Sequence, residues 1–136
     1  MSNEQTAEKP YALVVDDEGL IRMDIVDILE EAGFRTLEAP TGDVALELLR
    51  EHNQEVTVLF TDVQMPGDHD GFALARKTAS AYPHISIVVA SGRFLPGPDD
   101  LPDGARFIAK PFSAKMVHRH LQEVLPDEQK PAPLKQ

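Results

Sequence analysis

Four apolar runs in this chain of 136 residues stop at groups that can do chemistry together. Val14-Val15 runs into Asp16-Asp17-Glu18, and Val58-Leu59-Phe60-Thr61 runs into Asp62. Ile85 to Ala90 gives way to Ser91, and Phe107-Ile108-Ala109 gives way to Lys110. Carboxylates brought within a few ångströms of one another in a partly desolvated crevice repel, so either some take up protons or a cation joins them. Oxygen donors without His or Cys favour Mg²⁺ or Mn²⁺ over zinc. Two carboxylates can then hold a metal while a third reacts. Asp62 is the candidate nucleophile because it stands alone at the end of its run, and carboxylates form acyl phosphates in phosphoryl transfer. The metal and Lys110 would neutralise the phosphoryl charge, and the Ser91 hydroxyl could donate to a phosphoryl oxygen.

Each residue also has an ordinary structural reading. A strand-end aspartate or serine often starts a loop or caps a helix. A lysine before Pro111 can be a solvated surface residue. Five such residues, each beside the end of an apolar run, are what favours the chemical reading over five separate coincidences.

Strands that alternate with helices would put those ends side by side. Tyr11 to Val15 is a continuous apolar run of strand length. Gly19 to Ala32 follows, with Ile21, Ile25, Ile28, Leu29 and Ala32 on one helical face and Gly33 where a helix C-terminal glycine belongs. Phe34 to Ala39 predicts a second strand. Thr41 is the expected N-cap of a helix whose stripe is Val44, Ala45, Leu48 and Leu49. Val56 to Thr61 is a β-branched, apolar third strand. Phe72 to Tyr82 is helical by its Phe72, Ala75, Ala79 and Tyr82, and Pro83 ends it. Ile85 to Ala90 and Arg106 to Ala109 predict the last two strands. Ser113 caps a final helix with Val117, Leu121 and Val124 inward. Short apolar strands between helices imply a doubly wound α/β fold with a parallel sheet covered on both faces. Ligands of such sheets gather at the carboxyl ends of the strands.

Composition narrows the function further. The net charge of −10 has no basic cluster set against it, which argues against nucleic-acid contact. No apolar run approaches the ~20 residues of a membrane span, and Met1 to Pro10 has no apolar signal core. The absence of cysteine suits a reducing cytoplasm. The expected organisation is a disordered tail over residues 1–10, one domain over residues 11–125, and a disordered or linker-like tail over residues 126–136, where Pro126, Pro131 and Pro133 alternate with charges. The five histidines, His52, His69, His84, His118 and His120, show no ligand spacing. Met23, Met65 and Met116 are expected to pack.

Taken together, Val14-Val15-Asp16-Asp17-Glu18, Asp62-Val63-Gln64-Met65-Pro66 with Gly71, Ser91, and Lys110-Pro111-Phe112 resemble the receiver domain of bacterial two-component response regulators, from about Tyr11 to Leu125. The resemblance implies a CheY-like, flavodoxin-like sheet of five parallel strands in the order 2-1-3-4-5. It implies that Asp62 accepts a phosphoryl group from a histidine kinase or a histidine phosphotransfer protein. It further implies that Asp17, Asp62 and the backbone carbonyl of Gln64 bind Mg²⁺, with Asp16 assisting through water. Ser91 and Lys110 would bind the phosphoryl group, and Ser91 and Phe107 would occupy the switch positions.

The chain departs from the receiver pattern in three places. The loop Gly67-Asp68-His69-Asp70-Gly71 is one residue longer than is common before its glycine. Ser91 and Phe107 replace the commoner threonine and tyrosine. Three prolines and three glycines between Gly92 and Gly104 defeat a sustained helix, so the fourth helix of the receiver pattern should be short, irregular or missing. The leading functional expectation is a single-domain phosphorylation switch or phosphorelay shuttle, with its output through contact with an unknown protein. A Mg²⁺-dependent aspartyl-phosphate phosphohydrolase of small molecules is the alternative. It would turn over phosphate esters, whereas a receiver takes one phosphoryl group per chain.

Overall fold

The computed structural model describes residues 9–67 and 69–135. Its elements are β1 (Tyr11–Val15), α1 (Gly19–Glu31), β2 (Arg35–Ala39), α2 (Gly42–His52), β3 (Val56–Asp62), α3 (Gly71–Ala81), β4 (Ser86–Ser91), β5 (Arg106–Ala109) and α4 (Ala114–Val124). The five strands are parallel and ordered β2-β1-β3-β4-β5, as the resemblance implied. Among the described residues no helix is long and apolar enough to cross a membrane.

The inner strands β1, β3 and β4 are largely apolar because both faces of the sheet are covered there, whereas the edge strand β2 carries Arg35, Thr36 and Glu38. Ala12, Val14, Val58, Phe60, Val88 and Ile108 pack towards α1 and α4. Leu13, Val15, Leu59, Ile87 and Val89 alternate with them and pack towards α2 and α3. Each fully buried leucine or valine in these layers contributes about 1.5–3 kcal/mol relative to exposure. Phe60 sits at the centre, fully buried, with the Phe112 ring edge-on at 5.7 Å.

The caps are those the sequence predicts. Thr41 accepts a hydrogen bond from the Val44 N–H, and Ser113 accepts one from the Met116 N–H. Gly33 follows α1 with φ +105°, a conformation that favours glycine. The acids Asp24, Asp27, Glu30 and Glu31 form the solvated face of α1. Met23 is 59% exposed instead of packed, because it lies off the stripe formed by Ile21, Ile25 and Ile28.

No helix forms between β4 and β5. Gly97 and Asp100 close a turn there, with the Gly97 N–H on Asp100 Oδ2 at 2.7 Å. Arg76 of α3 donates to the Asp100 carbonyl at 3.1 Å, and Leu101 and Ala105 pack against the α3-side core. Phe94 and Leu95 remain exposed.

The two ends of the chain differ. Of the expected N-terminal tail, residues 1–8 lie outside the described residues. The expected C-terminal tail instead forms two 3₁₀ turns, Asp127–Gln129 and Ala132–Leu134. Leu134 is 2% exposed and joins the core layer of α1 and α4. Pro131 and Pro133 press on Gly33 so closely that an added Cβ there would stand 2.5 Å from the Pro131 Cβ. Proline and charge obscured a single apolar anchor: Leu134 reaches the core where the glycine leaves room.

Candidate phosphoacceptor site

The pairing of the strands brings the predicted residues level. Val15 pairs with Thr61, so Asp16 follows β1 beside Asp62 at the end of β3. Asp62 pairs with Ala90, and Ser91 pairs with Ala109. The Lys110 N–H then donates to the Ser91 carbonyl at 3.0 Å, which continues the ladder one step past the strand. Asp16, Asp17, Asp62, Gln64, Ser91 and Lys110 all line one cavity of about 650 Å³ at the carboxyl edge of the sheet.

Within that cavity the charges are unevenly placed. Lys110 Nζ lies 2.8 Å from Asp62 Oδ1 and 3.7 Å from Asp16 Oδ2. Asp16 is 1% exposed, and its Oδ1 accepts the Glu18 N–H at 2.9 Å. Burial pushes the Asp16 carboxyl above the usual carboxylate range, and the neighbouring Asp62 and Asp17 add to this. The Glu18 N–H and Lys110 act against it. Asp17 is exposed, whereas Asp62 and Ser91 are buried. Ser91 Oγ accepts the N–H groups of Arg93 (3.1 Å) and Phe94 (2.9 Å), which leaves its own hydroxyl proton for another acceptor.

The donor set fits a hard divalent cation. One oxygen from each of Asp16, Asp17 and Asp62 can be chosen so that all lie within 4.8 Å of one another. Asp16 Oδ2 is buried without a hydrogen-bond partner, an arrangement that is costly unless a cation or a water serves it. All the donors are oxygen, which suits Mg²⁺ and Mn²⁺.

Phe107 is the predicted residue that does not reach the cavity. It is half-buried in β5, paired with Val89, and packs with Leu101 and Ala105 on the α3 side. Other residues join the site without having been predicted. Arg22 of α1 donates to the Asp16 carbonyl at 2.7 Å and to Glu38 Oε1 at 3.0 Å, clasping the turn after β1. Arg93 also lines the cavity. The Lys110–Pro111 peptide is cis. Arg22 and Arg93 left no signal in the sequence, because neither follows a strand end directly. His118 of α4 places Nε2 3.2 Å from the Ile28 carbonyl and links α4 to α1.

Comparisons with known proteins point to one family. Residues 12–122 match the family model of the response regulator receiver domain. The chain is 30% identical over 116 residues to the response regulator receiver protein CpdR of Brucella abortus, covering 83% of this chain and 94% of that protein. It is 35% identical over 116 residues to the sensor kinase CckA of the same organism, where the match spans only 12% of the kinase. Among solved structures it is similar to chemotaxis protein CheY4 of Vibrio cholerae, with a TM-score of 0.73 and 27% identity, covering 86% of this chain and 99% of that one.

Proposed function

This chain belongs to the response regulator receiver domain family, and we propose that it accepts a phosphoryl group on Asp62 from a phosphohistidine donor, a histidine kinase or a phosphotransfer protein. The observation that carries this reading is the Lys110–Asp62 contact of 2.8 Å in a cavity shared with Asp16, Asp17 and Ser91. An Asp62 carboxylate oxygen attacks phosphorus, the phosphorus–nitrogen bond breaks, and its electron pair leaves with the donor imidazole, which keeps or takes up a proton. Asp62 suits the nucleophile's part better than its neighbours. Asp16 is deeper and holds the Glu18 N–H, and Asp17 stands in solvent.

Lys110, which pairs with Asp62 before transfer, moves to a phosphoryl oxygen after it, and the Ser91 hydroxyl donates to another. A divalent cation, Mg²⁺ or Mn²⁺, held by Asp17, Asp62 and the Gln64 carbonyl with Asp16 acting through water, supplies the remaining neutralisation of charge. When Ser91 turns to the phosphoryl group it gives up the N–H groups of Arg93 and Phe94. The segment before β5, which begins there, rearranges, and Phe107, which packs against the same core layer as Leu101 and Ala105, follows it. Exposed Phe94 and Leu95 on that segment offer a surface for a downstream protein in the cytoplasm.

Incubation with acetyl phosphate and Mg²⁺, followed by intact mass, tests the reading. One phosphoryl group per chain is expected. Continuous hydrolysis of a small phosphate ester without a stable adduct would favour the phosphohydrolase alternative. Amide exchange that is unchanged across residues 92–104 on phosphorylation would remove that segment from the response.

A further inference from the structure

We propose that Asp43 and His69 form a clamp that positions the loop after Asp62, so that the loop presents its backbone to the metal and the phosphoryl group. The inference rests on the phosphoacceptor reading and assigns that site two positioning residues outside its cavity. The loop that leaves β3 is pinned at its base, where the Gly71 N–H donates to the Val63 carbonyl at 2.8 Å. Gly71 must be glycine there, since an added Cβ would stand 2.1 Å from the Asp62 carbonyl oxygen. Among the described residues, no such backbone bond holds the loop's crest. It leans instead on the start of α2.

Three contacts define that lean. His69 Nδ1 lies 2.5 Å from Asp43 Oδ1. The other oxygen of Asp43 lies 3.5 Å from where a Cβ on Gly67 would stand, and Gly67 has φ +99°. The His69 backbone passes so close to Gly42 that an added Cβ there would stand 2.7 Å from the His69 carbonyl oxygen. One carboxylate therefore borders the loop on both sides of residue 68. Asp43, half exposed, stands in the first turn of a helix capped by Thr41, where a negative charge is favoured by the helix dipole. Between the base and the crest lies Gln64, which lines the cavity over Asp62, and Met65, which is buried in the α3-side core. The loop's extra length gives it freedom, and the clamp takes that freedom away.

Outer contacts that orient a ligand cost about tenfold or more in metal affinity when removed. His69→Ala and Asp43→Ala are each expected to raise the Mg²⁺ concentration for half-maximal thermal stabilisation about tenfold. They should also raise amide exchange across residues 64–70 in the metal-free protein. The double variant should be little worse than either single one, because both remove the same contact. His69→Asn, whose side-chain amide can reach the same carboxylate oxygen, should restore most of the affinity. His52→Ala, which removes the exposed histidine–carboxylate contact at the other end of α2, should change neither readout. A merely structural role would lower the melting temperature without moving the Mg²⁺ midpoint. Midpoints and exchange in His69→Ala that equal those of the wild type, or single effects that simply add in the double variant, would overturn the clamp. Failure of the wild type to take a phosphoryl group from acetyl phosphate would instead overturn the phosphoacceptor reading, and the metal-free exchange would still report on the clamp.

Discussion

Lys110 touches two carboxylates and satisfies neither completely: it stands 2.8 Å from Asp62, while Asp16 Oδ2 keeps a buried oxygen without a hydrogen bond. That imbalance is a reservoir of repulsion that a divalent cation would relieve. Mg²⁺ should therefore raise the melting temperature of the wild type by ligand linkage, by an increment that grows with the logarithm of its concentration above the dissociation constant. Asp17→Asn should lose most of that increment, as read by thermal unfolding across a Mg²⁺ series. An increment as large as that of the wild type would remove Asp17 from the metal site. The acids, Ser91 and Lys110 were legible because each is an abrupt change of residue type where an apolar run ends. Arg22 was not, because it reaches the Asp16 carbonyl from one helical turn into α1, and the sequence gives no sign of where a long side chain on a helix will point.

At the scale of elements, the glycines that open helices differ in what they tolerate. An alanine at position 71 would push against the backbone of Asp62 and Val63, so Gly71→Ala should cost about 1–3 kcal/mol and slow phosphoryl uptake. Gly19 has nothing within 4 Å of its missing Cβ, and Gly19→Ala should leave both properties near wild type or gain about 0.5–1 kcal/mol. Denaturant unfolding of the pair would check the contrast, and equal effects would contradict it. On α4, burial holds the His120 imidazole below its ordinary value of 6.5, and the nearby Arg106 and Arg119 push the same way. The folded state then resists a proton that the unfolded state accepts. The contribution of His120 is thus present above pH 6.5 and is lost as the pH falls from there towards its folded value. Melting temperatures at about pH 7.5 and about pH 5.5 should therefore fall less for His120→Gln than for the wild type. A steeper fall in the variant would reverse the sign. Strands and helices were legible to within a residue or two, since apolar runs and helical stripes do not overlap in this chain. The missing helix between β4 and β5 was legible for the opposite reason, because Pro96, Pro98 and Pro102 leave it no uninterrupted turn.

Across the whole molecule, one end of the sheet holds the candidate site and the other holds the strap formed by residues 126–135. The strap was misread because proline and alternating charge are the marks of a solvated tail, whereas its worth rests on Leu134 and the gap above Gly33. Leu134→Ala should cost about 2–5 kcal/mol, measured by denaturant unfolding, where a disordered tail would give almost no change. Phosphoryl uptake should survive that change, since Leu134 lies in the core layer of α1 and α4 and lines no part of the cavity. The functional reading depends on one carboxylate being the acceptor. The most direct measurement is mass spectrometry of the wild type and Asp62→Asn side by side after acetyl phosphate and Mg²⁺. The wild type should carry one phosphoryl group that maps to the peptide holding Asp62, and the variant should carry none. Labelling of Asp62→Asn equal to that of the wild type would contradict the account.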